Sequence, residues 1–511
     1  MSIELTTKSI GTEKTLFDGF CDQSIDCDMN LPDYCPDVMR ILRCTVQPSV
    51  ISSKLAGDRA IADGNASIRV IYSDEKNRIC CYETDYPFSK HAELSTPADN
   101  AVLICSAKCD YVNCRAVSKR RIDIHGTVSL HFRVCCRADE SVISSACGEE
   151  VQLKRKGIDM SSVAAVTSKC FQLSEVKNVG EGNDGIGRIV YSHASPVVTE
   201  TKIIKGKILL KGELSVDVIY CSDSRENECM KLNYALPFNE IAEASELNEN
   251  CIAQTNIIVQ KLTAEPKTDN DGEYRYMNIS ADLCASVTAY EAASVSIITD
   301  VYSTRTEIEA EYKSSDFAKI QQFFNDTCMC RQSIDLKSAE PQKLFACLAG
   351  DPEYKCSFSD GKMNIVGKIP LCIIATDKDG TPVSCEREAE FEYQRTVEKC
   401  RKSFTCTPQV SVTGYSCQLS ADGTADFKAE LFVSAVILEN SKESYLSSLT
   451  VTDGCRKKEH KSCLTVYFCS GKESLWDIAR RYNTTVEEIM EENELSADYI
   501  ENKSVLMIPV K

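Results

Sequence analysis

Cysteine is the residue type that most invites a chemical reading: the chain holds 29, beside five histidines, His91, His125, His131, His193 and His460. Thiolates and imidazoles in paired C-x2-4-C knuckles would make a zinc site. The spacings present are Cys328-x-Cys330, the vicinal pairs Cys80-Cys81 and Cys135-Cys136, and Cys105-x3-Cys109-x4-Cys114. The last comes nearest to a knuckle, but it lies in strand-like sequence and has no partner pair elsewhere. Cysteine serving as a small hydrophobe in β cores is the stronger reading, and neither metal nor cofactor is expected.

Acid–base or nucleophilic catalysis needs groups that converge. His125 and His131 share the outward parity of one strand, and six residues at about 3.3 Å each put them about 20 Å apart. Asp33 and Asp37 resemble a carboxylate pair, but Pro32 and Pro36 flank them. They are expected to cap a turn and start a short helix toward Leu42. No nucleophile elbow, Walker loop or H-E-x-x-H helix occurs. A non-enzymatic protein is expected.

Bulk properties agree. A net charge of -18 argues against a nucleic-acid surface, which needs clustered Lys and Arg. The start, MSIELTTKSIGTEKTLFDGF, lacks an apolar stretch behind a basic segment. No apolar run reaches the 18 or so residues of a membrane span. A cytoplasmic chain with reduced cysteines is therefore expected.

Three copies of one unit make up most of the chain. Arg40, Arg188 and Lys343 each stand 24 residues before a glycine (Gly64, Gly212, Gly367), and eight residues further on come Tyr72, Tyr220 and Ala375. Within each copy the apolar residues alternate: Ile68, Val70, Tyr72; Leu214, Val216, Val218, Tyr220; Ile369, Leu371, Ile373, Ala375. Alternation of this kind predicts a half-buried strand. Polar turns follow, beginning at Ser73, Ser222 and Thr376, and each unit closes with a second hairpin. Ile122, Ile124, Val128, Leu130, Phe132 and Val134 alternate there in the first copy, Met277 to Val287 in the second, Phe427 to Ala435 in the third. The stretch Gly180–Gly187 lacks a preceding clean strand and a following helix, so it is a loop and not a nucleotide site. The predicted fold is mainly β: three tandem β-sandwich-like repeats (1–155, 156–320, 321–455), a linker (456–463) and a small α+β module with βααβ order (464–511).

The terminal module carries the binding candidates. Leu464 to Cys469 is β-prone. Ser474 can cap a helix whose apolar face is Leu475, Ile478, Ala479 and Tyr482, with Asp477 at its third position and Asn483 closing it. Thr485 with Glu488 predicts a capping box for a second helix bearing Val486, Ile489 and Met490. Ser504 to Pro509 returns as a strand. Two loops, Ser470–Ser474 and Glu492–Asn502, should lie side by side. Gly471, Lys472, Glu473, Ser474, Leu475, Trp476, Asn493, Glu494, Leu495 and Ile500 are the expected groove residues. Nine acidic residues against five basic ones in this module favour a basic protein patch over a neutral sugar.

The run Tyr467-Phe-Cys-Ser-Gly-Lys-Glu-Ser-Leu-Trp-Asp-Ile-Ala-Arg-Arg-Tyr482, followed by Thr484-Thr-Val-Glu-Glu-Ile489, Asn493-Glu-Leu495 and Val505-Leu-Met-Ile-Pro509, resembles a LysM domain. In place of the usual Gly-Asp the opening loop has Lys472-Glu473, with Gly471 one place early. Leu31-Pro-Asp-Tyr-Cys-Pro-Asp-Val-Met-Arg-Ile-Leu42 resembles the opening signature of the SPOCS domain of clostridial sporulation proteins. Tandem SPOCS-like units before one LysM resemble SipL-type spore-coat morphogenetic proteins. The resemblance implies an adaptor made in the mother-cell cytoplasm and placed at the forespore and spore-coat surface. It implies that the LysM grips a spore-coat morphogenetic ATPase-like protein. The other candidate ligand is peptidoglycan N-acetylglucosamine of the wall or cortex. A metal-binding or redox cysteine-rich protein is the third class.

Overall fold

The computed structural model describes residues 3–509 except 98–99, 149, 181, 225–227, 245–246, 338–339, 398–402, 457–463, 471 and 502–503. The expected linker thus lies outside the described residues from 457 onward.

The first unit comprises β1 (Glu4–Asn30), β2 (Arg40–Ala56), β3 (Arg59–Ser73), β4 (Ile79–Glu93), β5 (Val102–Ala116) and β6 (Arg121–Cys147). The second comprises β7 (Val151–Asn178), β8 (Ile186–Ile204), β9 (Lys207–Ser222), β10 (Cys229–Glu243), β11 (Ile252–Lys267) and β12 (Tyr276–Ser303). The third comprises β13 (Thr306–Asp335), β14 (Lys343–Ala349), β15 (Glu353–Ser359), β16 (Lys362–Thr376), β17 (Pro382–Thr396), β18 (Ser403–Cys406), β19 (Gln409–Leu419) and β20 (Thr424–Arg456). Each unit holds two antiparallel sheets. In the first they run β2-β3-β4 and β1-β6-β5; in the second, β8-β9-β10 and β7-β12-β11. The third repeats this, with one edge strand of each sheet split into two pieces: β14 and β15 follow each other along the edge of β16 opposite β17, and β18 and β19 along the edge of β20 opposite β13.

The alternating residues fill the space between the sheets. Ile68, Val70 and Tyr72 of β3 and Ile122, Ile124, Val128, Leu130, Phe132 and Val134 of β6 share one buried core. The second and third units repeat it. Burying each such side chain contributes about 1.5–3 kcal/mol. The repeat glycines belong to this design. Gly64, Gly212 and Gly367 lie opposite Phe88, Phe238 and Phe391 of the next strand, whose rings cover them.

Equivalent residues of all three units meet on a common axis. Leu42, Val190 and Phe345, with Ile71, Ile219 and Ile374, form one buried cluster. Beyond the sandwiches the long strands continue as three antiparallel pairs, β1 with β6, β7 with β12 and β13 with β20, that pack into a stalk. Its core takes Ile143, Ile298 and Leu446, with Ala146, Val301 and Leu449. These triplets recur at offsets of 155 and 303 residues, so the units are arranged with approximate threefold symmetry. Because the stalk strands run unbroken, positions 155 and 320 fall inside β7 and β13, and the units meet between β6, ending at Cys147, and β7, and between β12, ending at Ser303, and β13.

Three local expectations differ from the structure. No helix follows Asp33 and Asp37. Residues 31–39 form an irregular turn, and β2 starts at Arg40 because Met39 and Arg40 already pair with Ser73. Arg120 holds that turn, donating to the carbonyls of Pro32 and of Leu31 and Cys35 (both 3.2 Å) and pairing with Asp37 at 3.0 Å. The loop at Gly180 does follow a strand, β7, and leads into β8 and not into a helix. The cysteines are not all thiols: Cys170 and Cys284, directly opposite each other on β7 and β12, form a disulfide.

Candidate functional site

The terminal module consists of β21 (Leu464–Cys469), β22 (Glu473–Ser474), α1 (Leu475–Tyr482), α2 (Val486–Glu492), β23 (Tyr499–Ile500) and β24 (Ser504–Pro509). Its local signals are realised. Ser474 caps α1 by accepting from the Trp476 N–H, and Asn483 closes the helix at φ 55°. Thr485 and Glu488 make a reciprocal capping box on α2. Leu475, Ile478, Ala479, Ile489, Ile500, Leu506 and Ile508 form the core.

The two loops lie side by side, since Glu473 pairs with Ile500 and Ser474 with Tyr499. Gly471 lies outside the described residues. Lys472 is exposed and holds φ 60°, a left-handed conformation that glycine would take without strain. Glu473 turns back on its own loop: its carboxylate accepts from the Ser470 hydroxyl, from the Tyr467 hydroxyl at 2.8 Å and from the Ser470 N–H at 3.2 Å. Those donors hold its pKa down at about 2. Asn493 clamps α2 to β24, donating to the carbonyls of Ile489 (2.8 Å) and Met507 (2.6 Å) and accepting from the Met507 N–H (2.7 Å). Glu494 is exposed at φ 50°. Leu495 packs half-buried on the core, and Leu475 and Ile500 are within it.

A pH dependence follows from Glu473. A carboxyl that titrates near 4.5 when free and at about 2 when folded stabilises the loop fully above about pH 4.5. That contribution is lost as pH falls toward 2. Glu473→Gln is expected to flatten this acid limb in thermal melts of the module. Identical pH slopes for variant and parent would remove Glu473 as its source.

Trp476, the sole tryptophan, seats the module on the stalk. Its indole N–H donates to Asp300 at 2.8 Å, and its ring meets Tyr302 edge-on at 4.9 Å. Arg480 pairs with the same Asp300 carboxylate at 3.0 Å. The Tyr302 hydroxyl donates to the Thr484 carbonyl at 2.8 Å, and burial pushes that phenol's pKa up. Sequence reasoning missed Asp300 and Tyr302. The signal was available: at the equivalent stalk positions the other units have Ser145 and Cys147, or Ser448 and Thr450. Only the unit that receives the module departs from the small-residue pattern. Asp300→Ala removes the charged acceptor shared by Trp476 and Arg480, the module's two partners on it; the indole bond is worth about 1.5–3 kcal/mol and the half-exposed Arg480 pair at most about 1 kcal/mol. Trp476 fluorescence should then shift red as the indole meets water; an unshifted spectrum would mean that Asp300 does not hold the module.

With α1 turned to the stalk, the outer face of the β21–β24 sheet is left open. Leu464, Val466 and Phe468 alternate outward on β21, and Val505 and Met507 on β24, with Val466 opposite Met507 and Phe468 opposite Val505. Phe468 is 75% exposed, Val505 57% and Val466 55%. These residues form a contiguous exposed apolar face, a candidate interaction surface.

A second concavity, about 1660 Å³, lies between the three units and is lined by residues of all of them. Contacts that cross unit boundaries there include the ion pairs Arg43 with Glu386 and Lys108 with Glu353 at 2.9 Å, and His193 beside Asp351 at 3.2 Å. It is a seam of the assembly. His125 and His131 point outward and each meets a carboxylate, Asp26 at 2.7 Å and Asp18 at 2.6 Å.

The SipL, SPOCS domain family model matches residues 37–117 and 185–267, and the LysM domain model matches residues 472–509. No curated protein and no solved structure matches the chain. The chain thus combines SPOCS domains, in its first two units, with a C-terminal LysM domain, as in SipL-type sporulation proteins. These are binding domains: the match marks a sporulation-related protein whose terminal module is of peptidoglycan-binding type. No helix among the described residues is long and apolar enough to cross a membrane.

Proposed function

We propose that this SPOCS- and LysM-bearing chain is a non-enzymatic adaptor of endospore coat assembly. It is made in the mother-cell cytoplasm and acts at the forespore surface. There its LysM domain holds a spore-coat morphogenetic ATPase-like protein, and the three-unit body is the platform that positions it. The observation carrying this reading is the outward apolar stripe Leu464, Val466, Phe468, Val505 and Met507. Such a face gains from excluding water against protein side chains and offers few hydrogen-bonding groups to a sugar. Removing residues 464–511 is expected to abolish capture of the ATPase-like protein while the β units stay folded. Undiminished capture by the truncated chain would reject the assignment to the LysM.

The LysM family match favours a second reading, peptidoglycan N-acetylglucosamine held along the two loops. Lys472, Ser474, Glu494 and Leu495 would line that groove. Co-sedimentation of the chain with purified sacculi, lost in Lys472→Glu, would promote this reading over the first.

A further inference from the structure

Besides the disulfide, four cysteine pairs among the described residues are in contact. Cys221 and Cys229 are cross-strand neighbours with sulfurs 3.3 Å apart. The other three pairs lie together between the two sheets of a unit, packed in its core: Cys44 with Cys114, Cys347 with Cys417, and Cys356 with Cys406. The first two are the same pair twice. Cys44 and Cys347, like Cys114 and Cys417, are 303 residues apart. The strand irregularities confirm the register. β2 and β14 shift between Ile41 and Arg43 and between Leu344 and Ala346; β5 and β19 shift between Cys109 and Tyr111 and between Val412 and Gly414. The matching shifts in β8 and β11, at Ile189/Tyr191 and Val259/Lys261, lead to Ser192 and Ala264. The middle unit therefore lacks the pair, and its disulfide joins two strands of one sheet.

We propose that Cys44–Cys114 and Cys347–Cys417 are oxidative modification sites, at which a low-molecular-weight disulfide converts each dithiol into a bridge stapling the two sheets of the first and third units. Burial divides the roles. Cys114 and Cys417 are half-exposed, and Cys44 and Cys347 are buried. The less buried sulfur, as thiolate, attacks the small disulfide, whose S–S bond breaks. One small thiolate leaves and takes up a proton, and a mixed disulfide remains. The buried sulfur then loses its proton and displaces the second small thiol. Two protein thiols lose two electrons in all, and one small disulfide is reduced to two thiols. The hydrogen bond from the buried partner lowers the pKa of Cys114 and of Cys417, which favours the attacking thiolate. Each bridge closes a span of 70 residues, so it restricts the unfolded chain and should slow opening of the sandwich.

The test uses the full chain, reduced, desalted and incubated with oxidised glutathione. It is then denatured, alkylated and mapped by non-reducing peptide mass spectrometry. Peptides joining Cys44 to Cys114 and Cys347 to Cys417 are expected, with all four residues lost to alkylation. Cys114→Ser should return Cys44 to the alkylated pool, and Cys417→Ser should return Cys347. Oxidation should raise the urea midpoint of the parent chain, but not of the Cys114→Ser/Cys417→Ser double variant. The proposal is overturned if these four residues stay alkylatable, or end as glutathione adducts without bridges, in a chain whose circular dichroism shows it folded.

Discussion

Replacing Val466 and Phe468 together by aspartate is expected to weaken capture of the coat ATPase-like protein by at least about 100-fold, roughly 3 kcal/mol, the loss typical of a central interface anchor. Both side chains point away from the module's core, so the substitutions remove contact area without opening a cavity. The fold has reason to survive. Tyr467, Cys469, Leu506 and Ile508, on the opposite parity, keep the buried face. Trp476 remains anchored on Asp300, and its fluorescence provides the control. Unchanged fluorescence with lost capture places the contact on the stripe, whereas unchanged capture would move it elsewhere on the module.

The largest effect on stability is expected at the repeat glycines. A Cβ built on Gly212 would come within 2.1 Å of the Val197 carbonyl oxygen and 2.4 Å of the Phe238 ring. Gly64 meets Ser49 and Phe88, and Gly367 meets Glu353 and Phe391, in the same way. In each case one obstacle is backbone and cannot rotate aside. Gly212→Ala should therefore destabilise the second unit by about 3 kcal/mol, the upper part of the overpacking range. It should be visible as a lower urea midpoint and faster amide exchange in β9. Phe238→Leu in the same chain should recover part of the loss, because the ring moves away and the carbonyl does not. A Gly212→Ala chain as stable as its parent would mean that the ring does not sit over the glycine.

The repeated glycine was legible as a spacing, but its reason was not, because that reason is the ring placed opposite it by strand register. The sandwich cores were legible for a simple cause: Ile122 to Val134, and their counterparts, alternate in step with the pleat. The stalk was legible in principle. Ile143, Ile298 and Leu446 keep the repeat offsets, yet they lie past the hairpins where alternation is clean. The expected helix after Asp37 failed because pairing of Met39 and Arg40 with Ser73 outweighs a local capping signal. The terminal module was read nearly residue by residue, since caps and apolar faces are local. Trp476 shows where local reading stops. Its partner Asp300 is 176 residues away, and no spacing within the module points to it.

The LysM's ligand is decided by offering the intact chain purified coat ATPase-like protein and purified sacculi side by side, with chitin oligomers as competitor. Capture of the protein is expected, undisturbed by the oligomers and lost on removal of residues 464–511, with no sedimentation on sacculi. Binding to sacculi that the oligomers displace, without capture of the protein, would overturn the adaptor assignment.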